Sequence, residues 1–431
     1  MKKVLVLLCS ILFLALSGCL LQSADELYAL PKQSDEYYTL QAQIEAVLNT
    51  GAEYCAPISG DRRQAVQLAD LDSDGQEEAI VFFRTQEKLP LKIYIFKMTS
   101  QGYARLGIIE GEGSAFESVD YRQIDTNLGL ELVVGRQVSN QVPQTLSVYA
   151  LEGSHVTELL NVSCIRHQLA DLDGNGLQDL LVFRTKEDAS VGMAEYYSWG
   201  DAGLELEGSA NMTGELTADS IRRVVYGMMQ ENVPAVFVAN AYGESDIVTD
   251  VFTLVEGNFG NVAGANDTAR IRYREVFAMD LDSDGLIELP ETRRLPSLAS
   301  DTTPYYIINW YNLCQDGTKQ YKLSTFHNYT DGWYLEIPME WKRNFAAAYI
   351  HGSLPCYRFY QSENGNARPM FEIYALSGQD AAALAQTEER FVLAQKGDVV
   401  YVGKCLDDAV SQQLLISQFH FIVTDWNSGE V

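Results

Sequence analysis

Three segments of this chain repeat one nine-residue pattern, D-x-D-x-[DN]-G-x-x-[DE], and the first two run directly into an apolar strand. They are Asp70-Leu71-Asp72-Ser73-Asp74-Gly75-Gln76-Glu77-Glu78, Asp171-Leu172-Asp173-Gly174-Asn175-Gly176-Leu177-Gln178-Asp179 and Asp280-Leu281-Asp282-Ser283-Asp284-Gly285-Leu286-Ile287-Glu288. Alternate residues of a tight turn point the same way, so the oxygens at positions 1, 3 and 5 converge. Glycine at position 6 permits the sharp bend, position 7 offers its carbonyl, and the acid at position 9 closes the cage. Calcium accepts about six to eight such oxygens, whereas magnesium demands a stricter octahedron and more water. Asp, Asn and Gly also favour metal-free turns, so three copies in phase with strands, and not any one alone, point to a metal.

The loops begin at residues 70, 171 and 280, and short apolar runs fill the intervals. Ala79-Ile80-Val81-Phe82-Phe83 and Leu91 to Phe96 are two, followed by Tyr103 to Ile109 and Phe116 to Ile124. The cycle restarts at Leu132-Val133-Val134, Leu180 to Phe183, Ala235 to Val238 and near Leu286. Many short strands at regular spacing mark an all-β chain, and four strands per period of about 50 residues suit a propeller blade. A decayed loop, Asp125-Thr126-Asn127-Leu128-Gly129-Leu130-Glu131, and a gap at Gln230 to Pro234 fall where further copies belong. The expectation is a mainly β chain: a β-propeller of about five four-stranded blades over 61–330, then a small α+β domain over 331–431. Before the blades, Ser34-Asp35-Glu36 offers a helix start, Tyr37, Leu40, Ile44, Val47 and Leu48 fall at helical spacing, and Gly51 closes the segment.

On these loops the chain resembles the FG-GAP/VCBS repeats of integrin α-subunit heads and bacterial surface propellers, over roughly residues 62–330. The resemblance implies a propeller, calcium in the loops and a role in binding. It places calcium at Asp70, Asp72, Asp74 and Glu78; at Asp171, Asp173, Asn175 and Asp179; and at Asp280, Asp282, Asp284 and Glu288. Glu at position 9 of the first and third loops departs from the family pattern, a longer arm expected to coordinate less tightly. The loop at Asp125 has too few carboxylates and is expected to stay empty. The rival motif, an EF-hand, needs Glu at position 12. Val81 and Val182 occupy that place in the first two loops; Glu291 occupies it in the third and is a candidate extra ligand.

The N-terminus bears on compartment. Met1-Lys2-Lys3 precedes an apolar run from Val4 to Leu16, too short to span a bilayer but suited to a signal-peptide core. Leu16-Ser17-Gly18-Cys19 resembles a bacterial lipobox, which implies a signal peptide over 1–18 and lipidation of Cys19. Residues 19–60 then form a tether and an amphipathic helix. The implied location is extracytoplasmic, with the membrane as partner through the lipid anchor. A net charge of −28 disfavours nucleic acid as a partner. Beyond Cys9 and Cys19, five widely spaced cysteines form no CxxC pair, so buried free thiols are the default, with one or two bridges as the alternative.

No HExxH, GxSxG, P-loop or GxGxxG motif occurs, and no catalytic residue is assigned. The late aromatics Tyr305-Tyr306, Trp310-Tyr311, Trp333-Tyr334 and Trp341 are expected in the core, with stacking on sugars or peptides as the alternative. Towards the C-terminus, Phe391 to Ala394 and Val399 to Val402 flank Gln395-Lys396-Gly397-Asp398 as a hairpin, and extra blade strands are the alternative to a separate domain. The resulting expectation is a lipid-anchored, calcium-binding module for an extracellular protein or glycan ligand. The alternative is a polysaccharide-acting enzyme or an accessory subunit of an envelope assembly.

Overall fold

The computed structural model describes residues 35–138, 144–153, 155–186, 191–243, 246–263, 270–272, 276–298, 303–363, 366–387 and 389–422. Cys19 and the helix N-cap at Ser34 lie outside them. The chain is mainly β, and its named strands form six sheets in which every pairing is antiparallel. The second and third sheets have four strands each: Ala115–Arg122, Glu131–Gln137, Gln144–Glu152 and His155–Cys164, then Arg166–Ala170, Asp179–Thr185, Val191–Gly200 and Gly203–Glu215. The first spans 53–111 and the fourth 221–272, each adding a short fifth strand to a four-stranded meander.

Burial explains why the second strand of each early sheet is an unbroken apolar run. Glu78–Arg84 and Glu131–Gln137 are each buried over their first six residues, on both faces. Alternation then divides each run between two neighbours. Ile80 and Phe82 share a core with Phe116 and Val134 of the second sheet, whereas Val81 and Phe83 face Leu40 and Ile44 of the helix Asp35–Leu48. Val133 and Val148 meet Leu180 and Val182 of the third sheet. Leu181 and Phe183 pack on Val236 and Val238 of the fourth, and Phe237 on Leu289 of the fifth. Each sheet is therefore one slice in a series, with a shared core on either side.

The two ends of the series differ from the closed ring that the strand count suggested. The outer face of the first sheet is covered by the helix Asp35–Leu48, through Leu40 and Ile44 and a 2.8 Å hydrogen bond from Tyr103 N to Thr39 Oγ1. Burying those two side chains stabilises the end by about 3–6 kcal/mol. The outer face of the sixth packs on Ala381 and Ala385, in and beside the helix Ala381–Leu384. Among the described residues no hydrophobic cluster joins the sixth sheet to the first.

Residue 330 falls inside the fifth sheet. That sheet joins Glu288–Arg294, Tyr306–Leu313 and Lys319–Asn328 to Trp333–Glu336, and Phe419–Phe421 adds to its edge. The sixth sheet holds Phe345–Ile350, Cys356–Glu363, Asn366–Leu376, Val399–Cys405 and Phe391–Lys396, the last two forming the expected hairpin. Trp333, Phe326, Phe359 and Phe371 belong to one cluster shared by both sheets, so the core runs unbroken across that boundary. Of the late aromatics, Trp310, Trp333, Tyr334 and Trp341 are buried, whereas Tyr305, Tyr306 and Tyr311 are only partly buried. Cys55, Cys164, Cys314, Cys356 and Cys405 are free, the first, second and fourth of them buried. No helix among the described residues is long and apolar enough to cross a membrane.

Candidate metal centres

The three acidic loops occupy one structural position. Each leads into the strand that begins at its position-9 acid, and that acid stands opposite the residue preceding position 1. The pairs are Ala69 with Glu78, Ala170 with Asp179 and Met279 with Glu288. The backbone turns left-handed at position 4 (Ser73 φ 55°, Gly174 73°, Ser283 61°) and again at glycine in position 6 (85°, 89° and 88°). Glycine fits the second of these without a Cβ penalty.

Hydrogen bonds then repeat almost atom for atom. The N–H at position 6 donates to the first aspartate at 3.0 Å in all three loops: Gly75 to Asp70, Gly176 to Asp171 and Gly285 to Asp280. The N–H at position 2 donates to the acid at position 9: Leu71 to Glu78 at 2.8 Å, Leu172 to Asp179 at 2.8 Å and Leu281 to Glu288 at 2.9 Å. The longer Glu arm thus does the same work as Asp. At position 5, Asp74, Asn175 and Asp284 each accept from the N–H two residues on, at 2.7–2.9 Å.

These bonds aim carboxylates inward. Asp70, Asp72 and Glu78 bring one ligand oxygen each within 4.8 Å of one another, as do Asp171, Asp173 and Asp179, and Asp280, Asp282 and Glu288. Glu78, Asp179 and Glu288 are 0–1% exposed. Asp70 Oδ1, Asp72 Oδ1, Asp171 Oδ1 and Glu288 Oε1 are buried oxygens with no hydrogen-bond partner. Unpaired buried carboxylate oxygens are costly unless a cation meets them, so the residues present fit a metal ion. Burial pushes Asp179 up to about 7 and Glu288 up to about 7, and raises Glu78 as well. Asp74 and Asp284 are held low by hydrogen bonds from Lys97 and Lys322 respectively.

Two neighbouring positions behave differently from the three loops. Glu291 lies in a strand, not an exiting helix, and pairs with Lys319 at 2.9 Å, outside the carboxylate cluster. This corrects its candidacy as an extra ligand. In the loop at Asp125, Glu131 Oε2 accepts from Ile124 N at 2.6 Å and Asp125 N at 3.1 Å, while Asn127 bonds both oxygens of Asp125. That loop closes on its own hydrogen bonds.

The loops also connect along one edge of the series. Leu130 N donates to Leu71 O at 3.0 Å, Gln178 N to Gln123 O at 2.8 Å and Ile287 N to Met228 O at 2.8 Å. A Cβ at Gly129 would meet Leu71 O at 2.4 Å. Gly129→Ala is therefore expected to destabilise by about 1–3 kcal/mol through overpacking. Gly352→Ala, where a Cβ meets open space, is the comparison. Equal urea midpoints for the two variants would show that the loop contact is not tight.

No family model matches the chain, and no curated protein does. Similar solved structures include a protein from Lactobacillus plantarum, at 11% identity over 73% of this chain and 85% of that one, with a TM-score of 0.26. Another is an exotype rhamnogalacturonan lyase, at 11% identity over 71% of this chain and 68% of that one, with a TM-score of 0.30. Likenesses at those scores carry no argument about fold or activity.

Proposed function

We propose that the chain is a lipid-anchored extracytoplasmic binding protein, its sheets serving as FG-GAP/VCBS-type blades in an open series held by calcium. The observation that carries the reading is the threefold recurrence of one carboxylate cage, with unpartnered oxygens, at one position leading into a strand. Calcium suits it better than magnesium, because an all-protein oxygen cage satisfies the larger, more flexible ion. Bound there, the ion neutralises clustered acids and fixes the loop edge that connects neighbouring sheets. A rigid edge of this kind presents a surface to a protein or glycan ligand with little ordering cost.

The binding role is tested by probing immobilised cell-wall and host glycans, and extracellular proteins, with the purified chain in calcium and in chelator. Calcium-dependent retention on a defined ligand supports the reading; retention on none of them in calcium sinks it. Anchoring is tested separately. Cys19→Ala is expected to abolish incorporation of labelled fatty acid and to move the chain out of the membrane fraction. Unchanged labelling would remove the lipobox from the account.

A further inference from the structure

We propose that two of the three cages carry their own cation, the ammonium groups of Lys97 and Lys322, so that the loop at Asp171 alone binds calcium tightly. The inference rests on reading the loops as metal sites. In the first sheet, Lys97 Nζ pairs with Asp72 and lies 2.9 Å from Asp74 Oδ2 and 3.1 Å from Glu78 Oε1. In the fifth, Lys322 Nζ lies 2.8 Å from Asp282 Oδ2 and pairs with Asp284. Both side chains are about a quarter exposed, at 24% and 26%. Burial disfavours each ammonium, yet the hydrogen bonds it donates to the loop acids outweigh that and raise both pKa values.

The two lysines reach equivalent cages from different places. Ala79, Leu180 and Leu289 each follow the position-9 acid, and they pair with Phe96, Tyr197 and Tyr311. Lys97 follows Phe96 on the second long strand; its counterparts are Ser198 in the third sheet and Asn312 in the fifth. Lys322 instead occupies the bulge of the next strand, between the pairs Trp310 with Leu323 and Tyr311 with Tyr321. The corresponding bulge of the third sheet, between Tyr196 with Gly208 and Tyr197 with Leu206, holds Glu207. Both routes by which a lysine arrives are thus closed in the third sheet.

Around the middle loop, among the described residues, no Lys or Arg pairs with Asp171, Asp173 or Asp179. Asp173 meets neutral donors of Asn175, its backbone N at 3.0 Å and Nδ2 at 2.9 Å. Asp171 Oδ1 is buried with no hydrogen-bond partner, as are Asp70 Oδ1 and Asp72 Oδ1 in the first cage, so the absence of a lysine is what sets the middle loop apart. In the fifth sheet Glu288 is fully buried, and its Oε1, inside the cage, is also unpartnered despite Lys322. A monovalent ammonium meets part of the cage's demand, and a divalent ion must displace it to enter. Displacing one hydrogen-bonded lysine is expected to weaken calcium about tenfold, which corresponds to about 1.4 kcal/mol.

The test is calorimetric titration of calcium into the chelator-stripped, full-length chain in detergent. One strong site and two sites about tenfold weaker are expected. Lys97→Met with Lys322→Met should convert this to three strong sites, and Asp171→Asn in the native background should remove the strong one. Three equal strong sites in the native chain, or weak sites unmoved by the double lysine change, would overturn the inference while leaving the loops as metal sites. Absence of calcium binding in every variant, with folding verified by circular dichroism, would overturn both.

Discussion

Stripping calcium from the full-length chain is expected to lower its thermal midpoint by about 5–15 °C. A site held at a hundred times its dissociation constant contributes about 2.7 kcal/mol, and three contribute about 8. For a chain of this size each kcal/mol moves the midpoint by about 2 °C. The lower figure applies where the Asp171 loop alone is filled, and the upper where calcium is concentrated enough to displace both lysines. Magnesium at equal concentration should restore little of the loss. It dehydrates reluctantly and demands a near-ideal octahedron. The effect should reach beyond the loops, because Leu130, Gln178 and Ile287 bond each acidic loop to the neighbouring sheet. Differential scanning calorimetry in calcium, in magnesium and in chelator decides it. Identical midpoints in all three would reduce the loops to acidic turns.

What was legible in the residues was local. A single turn is expected to converge positions 1, 3 and 5 with the acid at 9 closing the cage; Asp70, Asp72 and Glu78 meet, while Asp74 stands outside that group and accepts from Gln76 N. The runs at Ala79 and Leu180 are apolar at every position because each strand packs against two neighbours, and that too is visible in composition alone. What escaped depended on partners distant in the chain. Lys97 and Lys322 lie 25 and 38 residues from the aspartates they bond, and their approach depends on strand register and a bulge. The pairing of Phe326 with Leu335 across residue 330, and of Leu335 with the distant Phe419, needed the same knowledge. Closure was the largest departure. Whether a row of sheets becomes a ring depends on what covers its first and last faces. Here Leu40 and Ile44 cover one, and Ala381 and Ala385 the other. The helix was readable from Tyr37 to Leu48, but its place over the end sheet was not.

In chelator the protein is expected to become more stable as pH falls from 7.5 to 5.5, and in calcium to become less stable over the same interval. Asp179 and Glu288 have their folded pKa pushed up to about 7 by burial, against about 3.9 and 4.3 in the unfolded chain. Between those limits the folded state binds protons that the unfolded state releases, so metal-free stability declines as pH rises through this window. From pH 7 to 5.5 each group accounts for roughly 2 kcal/mol. The raised pKa of Glu78 acts in the same direction, and protonation also relieves repulsion in a chain of net charge −28. Calcium reverses the slope because it requires ionised ligands, so acid displaces it and removes its contribution. Asp179→Asn with Glu288→Gln should flatten the slope in chelator by removing the two titrating groups, while weakening calcium binding at both loops. Urea midpoints measured every half unit from pH 5.5 to 7.5, with and without calcium, provide the test. Parallel slopes in the two media would show that these carboxylates do not form the cation cages.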